Sequence, residues 1–244
     1  MMILMILVIL LLANAAGLIL TGSLRFLIGA AVCAGFLVAY LAGRRKKPQE
    51  KPNALILLPP LCICGFMMLF APIYKQSRQL WRYPFQRAFH GIYNSTPKWF
   101  PEFSGDVRSD YVFDAIPSIM QGTGHYSVRF VTAPERAAEI EAQFSAQALY
   151  TMPLAEGMLS CQSIPESAGN SYAASGEEWS GAAMFYCDEK FWYPEGKPAD
   201  GTTVLCLDAR GDWNHPGGSV VIVNSRTGAV EYSQFGWTQL AYGE

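Results

Sequence analysis

The sequence predicts three N-terminal transmembrane helices followed by an α+β domain, a mostly antiparallel sheet with one main covering helix. Three observations predict this class. The first 73 residues contain three long apolar runs, and nineteen of the twenty acidic residues lie from Glu102 onward, so the chain divides into an apolar part and an acidic part. In the acidic part, short β-rich segments surround one amphipathic helical pattern.

The apolar runs cover about residues 1–20, 24–42 and 54–73. About twenty apolar residues in a helix are long enough to cross a bilayer core of ~30 Å, so each run is interpreted as a span. Pro59 and Pro60 should kink the third span, because they remove two backbone donors. The first run could instead be a signal peptide cleaved near Ala13-Asn14-Ala15, but it has no Lys or Arg before its apolar core, which favours the span.

The orientation follows from the charges that flank the spans. Arg44, Arg45, Lys46, Lys47 and Lys51 lie in the short loop between the second and third spans. Basic loops stay in the cytoplasm, so we expect a cytoplasmic N-terminus and an extracytoplasmic C-terminal domain. The spans contain no Asp, Glu, Lys or His, which favours an anchor over a transport pathway.

Residues 74–101 form a segment, the collar, with five basic residues, no acidic residue and several aromatic residues. Next to a span, this composition indicates contact with anionic headgroups. The predicted membrane-interface residues are Lys75, Arg78, Trp81, Arg82 and Arg87.

Residues 102–244 carry seven basic and nineteen acidic residues, a net charge of −12. Such a domain repels a phosphate backbone, which argues against a nucleic-acid partner. The expected partners are the lipid bilayer and, as an open alternative, another membrane or envelope protein.

Strands are predicted at 110–116 and 125–131, which should pair, and at 202–207, 219–224 and 229–235, of which the last two should form a hairpin. Short strands are also predicted at 182–187 and 191–193. The main helix should begin at a capping box of Thr132 and Glu135 and end near Leu149.

Three cysteines, Cys161, Cys187 and Cys206, lie in the acidic domain. Two interpretations stay open for them. An extracytoplasmic domain would permit a disulfide between Cys161 and Cys187, whereas buried strands would hold three free thiols.

The sequence has no HExxH, GxSxG, CxxC or P-loop motif. The remaining catalytic candidates are Asp208, Asp212 and His215, which could bind a metal or transfer protons. They lie among turn-forming residues, so we interpret them as structural, with no metal or cofactor. The predicted function is a membrane-tethered extracytoplasmic interaction or structural domain. A membrane-anchored hydrolase or metal-dependent enzyme using the Asp208–His215 loop is the alternative.

Overall fold

The computed structural model of the chain describes residues 2–47, 49, 54–70, 75–87, 97, 99–102, 105–116, 123–156, 161–164, 183–211, 216–238 and 240. The chain forms two compact units, Met1–Ile73 and Tyr74–Glu244.

The first unit contains two helices that are long and apolar enough to cross a membrane, α1 (Met2–Thr21) and α2 (Leu24–Lys46). The turn between them contains Gly22, whose φ of 64° lies in the left-handed region that glycine adopts without strain. The two helices pack closely, because the aromatic ring of Phe26 lies against Gly17 and the side-chain amide of Asn14 lies against Gly29. A side chain at either glycine would push the helices apart.

The structure has two helices of spanning length and not the predicted three, counted over the described residues. Residues 54–70 instead form a 3₁₀ turn, Ala54–Leu57, followed by a 13-residue helix, α3 (Leu58–Phe70). Pro59 and Pro60 explain this break. A proline lacks the N–H that a helix interior needs, but it fits the first turn, where that N–H has no intrahelical acceptor. The α-helix therefore begins at Leu58, with both prolines in its first turn.

The second unit is built on a seven-stranded antiparallel sheet in the order β1-β2-β3-β9-β8-β7-β4. A separate two-stranded ribbon consists of β5 and β6. The strands are β1 (Lys75–Ser77), β2 (Ser109–Ile116), β3 (His125–Val131), β4 (Tyr150–Pro153), β5 (Cys161–Ile164), β6 (Ala183–Tyr186), β7 (Thr203–Arg210), β8 (Gly217–Asn224) and β9 (Ala229–Phe235). The α+β class and the antiparallel sheet are thus confirmed.

The unit has three layers with the sheet in the middle. Helix α4 (Pro134–Ser145) packs on one face of the sheet, and the β5–β6 ribbon packs on the other. Alternation along β8 supplies both faces, because Val221 and Val223 face the helix side while Val220 and Ile222 face the ribbon side. The ribbon approaches most closely at Gly218, where any side chain would collide with the carbonyl oxygen of Met184.

Three local predictions were wrong, and one of them is the end of the main helix, which lies at Ser145 and not near Leu149. Helix α4 begins at Pro134 after the N-cap residue Ala133, which has no capping side chain, and Thr132 Oγ1 instead donates to the carbonyl of Asp106 (2.6 Å). The segment predicted as a strand at 191–193 lies instead partly in a short helix, α5 (Glu189–Trp192). Asp188 caps this helix by accepting a hydrogen bond from Phe191 N (3.1 Å), as short carboxylates do at helix starts.

Candidate functional site

Of the three predicted catalytic candidates, the structure describes only Asp208. Asp208 lies in β7, where the pairing with β8 shifts register. Its Oδ2 accepts a hydrogen bond from the backbone N–H of Leu240 at 2.8 Å. Asp212 and His215 lie outside the described residues, so their structural role stays a prediction and a site shared with Asp208 stays the alternative. The Asp208 carboxylate fastens the C-terminal segment to the sheet, which is a structural task.

We expect Asp208→Ala to lower the free energy of unfolding by about 1 kcal/mol, because one hydrogen bond to the backbone is lost. Chemical denaturation of the full chain in detergent measures this loss. Metal analysis of the same preparations provides the second readout. Stoichiometric metal that disappears in His215→Ala would contradict the structural interpretation and favour the enzyme alternative.

The predicted membrane-interface residues lie in the collar. Lys75 is in β1 and pairs with Ala115 at the edge of the sheet, and Arg78 is exposed. The Trp81 side chain is 53% exposed, and the Arg82 guanidinium lies over its ring at 5.1 Å. Arg87 forms an exposed ion pair with Glu102 at 3.1 Å.

The same segment is fastened to the core of the second unit. Tyr83 and Gln86 are buried, and Tyr83 Oη donates to the carbonyl of Pro101 at 3.0 Å. The Tyr83 ring packs edge-on against Tyr111 and Phe113. Tyr83 therefore serves the core and not the membrane surface, whereas Trp81 and Phe85 point outward.

Cys161 and Cys187 are free thiols in the structure, as are the other four cysteines. Cys161 pairs in register with Tyr186, so Cys187, one residue further on, belongs to the opposite face of the ribbon. Cys187 is buried beside Gln162, and burial raises the pKa of its thiol. The interpretation as buried thiols describes Cys187 and Cys206, whereas Cys161 is half-buried, and a Cys161–Cys187 disulfide stays a prediction for an extracytoplasmic domain.

A buried polar cluster that was not predicted lies on the face of the sheet that the ribbon covers. Its centre is Glu231 of β9, whose side chain is fully buried. Ser127 Oγ donates to Glu231 Oε1, while Trp192 Nε1 and the backbone N–H of Asp188 (3.1 Å) both donate to Oε2. The carboxyl group thus joins β9, β3 and the segment that leads from the ribbon into α5.

An ion pair lies beside this carboxyl group. Arg129 Nε contacts Asp188 Oδ2 at 2.8 Å, with both side chains about nine-tenths buried. The Arg129 guanidinium also lies over the Phe191 ring at 4.7 Å and donates to the carbonyl of Asp110 at 3.2 Å. Arg129 is also the cross-strand partner of Glu231, so one guanidinium lies near two carboxyl groups, and its ion pair is with Asp188.

Further along the same face lie Asp114, His125 and Tyr186. The His125 and Tyr186 rings stack with their centres 3.8 Å apart and an interplanar angle of 10°. His125 Nε2 lies 3.9 Å from Asp114 Oδ1, and Tyr186 Oη donates to Asp114 Oδ2 at 3.5 Å. The cluster brings an imidazole and a carboxyl group together in a buried site.

Burial raises the pKa of Glu231 to about 7, with the nearby Asp188 charge acting in the same direction and the hydrogen bonds from Ser127, Asp188 and Trp192 opposing it. A carboxyl group that titrates near neutrality can exchange a proton in the physiological range. Within the described ranges, no group of three or more His, Cys, Asp or Glu side chains is arranged to hold a metal ion.

Sequence reasoning missed this cluster because alternating polar residues along β3 and β9 normally indicate a solvated sheet face. Only a covering segment from elsewhere in the chain turns that face into an interior. The fold and the cluster together define a chain with an apolar helical hairpin and a three-layer α+β unit with one partly polar interior. Comparison with known protein families, with curated proteins and with solved structures finds no match for this chain.

Proposed function

We propose that the protein is a membrane-tethered extracytoplasmic interaction domain, anchored by the α1–α2 hairpin. The observation that carries this proposal is the exposed apolar surface of the two helices. Fewer than a quarter of the residues in each apolar window are buried, unlike the mostly buried core helix of a soluble domain. Exposed large apolar side chains on them include Met2, Met5, Ile9, Leu12, Ile19, Leu24, Leu27, Val38 and Leu41. Such a continuous apolar surface is suited to lipid.

The orientation is supported by the basic end of α2, whose last turn contains Arg44, Arg45 and Lys46. Positive residues beside a span favour the cytoplasmic side. A hairpin of two spans with a cytoplasmic N-terminus returns the chain to the cytoplasm at this basic turn. An extracytoplasmic second unit therefore requires the chain to cross once more between Lys46 and Lys75, and α3, although too short by itself, is the described helix in that stretch.

A reporter fused after Gly243 in the full chain tests this topology. We expect an extracytoplasmic signal from the reporter and retention of the chain in the membrane after alkaline carbonate extraction. A cytoplasmic signal with carbonate-resistant retention would show that α3 does not cross. Release by carbonate together with a shortened N-terminus would identify α1 as a cleaved signal sequence and contradict the tether.

The collar is proposed as a contact with anionic lipid headgroups. Trp81 and Phe85 are four residues apart and both are exposed, while Tyr83 and Gln86 hold the same turn against the core. The Arg82 guanidinium lies over the Trp81 ring and Arg78 is exposed in the same segment, which is the composition of an interfacial anchor. The acidic remainder of the unit would be repelled by the same lipid surface.

Quenching by brominated lipids tests this contact in nanodiscs that contain the full chain. We expect Trp81→Phe to remove a measurable share of the tryptophan quenching, because the Trp81 ring would lie at the lipid surface. Trp237→Phe is the matched control, since Trp237 is also exposed and has the Arg210 guanidinium 4.7 Å from its ring. Equal effects of the two substitutions would contradict a specific role of the collar.

An interaction domain is favoured over the hydrolase because the one described catalytic candidate, Asp208, already accepts a backbone hydrogen bond. The net charge of −12 from Glu102 onward suits a basic surface on another membrane or envelope protein. The metal analysis described for His215→Ala separates this proposal from the enzyme alternative.

A further inference from the structure

The buried carboxyl group of Glu231 connects the sheet to the segment 183–193, which contains β6, α5 and the turn between them. Two of its three hydrogen bonds come from this segment, from Trp192 Nε1 and from the Asp188 backbone N–H. The third comes from Ser127 on the neighbouring strand β3. The Glu231 side chain is therefore a point at which the covering segment is fastened to the sheet.

The hydrogen-bonding chemistry of this point accommodates a protonated carboxyl group. Oε2 accepts from two N–H groups in either state. Oε1 faces a hydroxyl group, which can donate to a carboxylate or accept from a carboxylic acid by rotating. The protonated group keeps all three contacts and adds no charge to the interior.

Ionisation of Glu231 changes the net charge of the buried cluster but not the number of groups that donate hydrogen bonds to the carboxyl group. Arg129 lies directly across the sheet from Glu231 but is paired with Asp188, so an ionised Glu231 leaves one net negative charge among the three buried side chains. A buried charge without a partner is costly, and it is relieved when water reaches it. The groups that face Glu231 are Ser127 and Arg129 from β3, Ile222 as its cross-strand neighbour in β8, and Cys187, Asp188 and Trp192 from the covering segment.

We propose that Glu231 is a proton-operated latch that holds segment 183–193 against the sheet when its carboxyl group is protonated and loosens that segment when the group is ionised. When the latch opens, segment 183–193 moves away from the sheet. The contact between Ser127 and Glu231 remains, because both residues belong to the central sheet. The latch depends on the fold of the second unit and is independent of the membrane orientation and of the proposed interaction function.

Hydrogen exchange of the full chain in detergent micelles, measured at pH 5.5 and pH 8.5 and corrected for intrinsic exchange rates, tests the latch. Peptides that cover 183–193 should lose protection as the pH rises. With a pKa of about 7 in the closed state and the usual 4.5 in the open state, opening becomes up to about 30-fold more frequent. Equal protection at the two pH values would overturn the proposal.

Glu231→Gln should abolish the pH dependence, because the amide oxygen accepts from both N–H groups and the amide N–H₂ donates to Ser127. Glu195→Gln is the matched control, since it removes an exposed carboxylate close to the same segment and should leave the pH dependence intact. Retention of the pH dependence in Glu231→Gln would also overturn the latch.

A second variant keeps the test decisive if Glu231→Gln does not fold. Trp192→Phe removes a donor that favours the ionised carboxyl group, so the midpoint of the protection change should move to higher pH. A midpoint that stays in place or moves to lower pH would exclude Glu231 as the group that controls the segment.

Discussion

Glu231→Gln is expected to make the second unit more stable than the wild type at pH 8 by about 3 kcal/mol, and about equally stable at pH 5. A rise in the pKa of Glu231 from 4.5 to about 7 sets this magnitude, since each pH unit over which only one state binds the proton contributes ~1.4 kcal/mol. The amide keeps the three hydrogen bonds of the acid, so the substitution removes the cost of ionisation without opening a cavity.

The sign follows from proton binding. The folded-state pKa lies above the unfolded value, so between about pH 4.5 and pH 7 the folded chain binds more protons than the unfolded chain. The contribution of Glu231 to stability is therefore fully present below about pH 4.5 and is lost as the pH rises through 7. Above that range Glu231 adds no further dependence of the free energy of unfolding on pH.

Urea denaturation of the full chain in micelles, followed by tryptophan fluorescence, measures the difference between variant and wild type at each pH. All six tryptophans lie after residue 74, so the fluorescence reports on the second unit alone. Comparing the difference between the two proteins cancels the titration of the other carboxyl groups. A difference that is the same at pH 5 and pH 8 would contradict the assignment of the titration to Glu231.

The sheet could be predicted from the sequence where its strands follow the binary pattern. The bounds predicted for β3 and β9, 125–131 and 229–235, are confirmed to the residue, because β-branched and aromatic residues fill those segments and Gly228 marks the turn before the second. The pairing of β2 with β3 is confirmed for the same reason.

The polar interior could not be predicted, because burial on a sheet face depends on what covers it. Ser127, Arg129 and Glu231 have the alternating polar pattern of a solvated face, and only the distant segment around Asp188 and Trp192 turns them into an interior. The short helix α5 had a local sign, Asp188 followed by Glu189, that marks a helix start and could have replaced the predicted strand.

The predicted third span differed from the structure for a local reason, the chemistry of its own backbone. Its composition satisfied the length criterion, but Pro59 and Pro60 permit a helix start and not a helix interior, so the regular α-helix is only 13 residues long. Composition alone counts apolar residues and takes no account of backbone donors. The position of the two prolines was thus the deciding information.

Gly228→Ala is expected to lower the free energy of unfolding by about 3 kcal/mol, an effect as large as that of Glu231→Gln but of opposite sign. Gly228 has a φ of 79°, in the left-handed region where a Cβ atom costs ~1 kcal/mol or more. A Cβ atom there would also lie well inside van der Waals contact with the carbonyl oxygen of Thr132. That carbonyl belongs to the backbone, so the clash is relieved only by moving the chain.

The position couples two parts of the fold. Gly228 N donates to the carbonyl of Asn224 (2.9 Å) within the β8–β9 turn, and its own carbonyl accepts from Thr132 N (2.8 Å), just before α4. Shifting the turn to admit a methyl group therefore strains the bond that holds the start of α4 to the hairpin. The expected loss combines the backbone strain with this displacement.

Gly201→Ala separates the two contributions. Gly201 has nearly the same φ, 82°, but a Cβ atom there meets only the flexible Arg226 side chain at 3.6 Å, which is ordinary contact. This control should lose about 1 kcal/mol from the left-handed backbone alone. The urea measurement used for Glu231 compares both variants with the wild type. Equal losses at Gly228 and Gly201 would show that the Thr132 carbonyl yields without cost, and that the turn is not rigidly fixed against the start of α4.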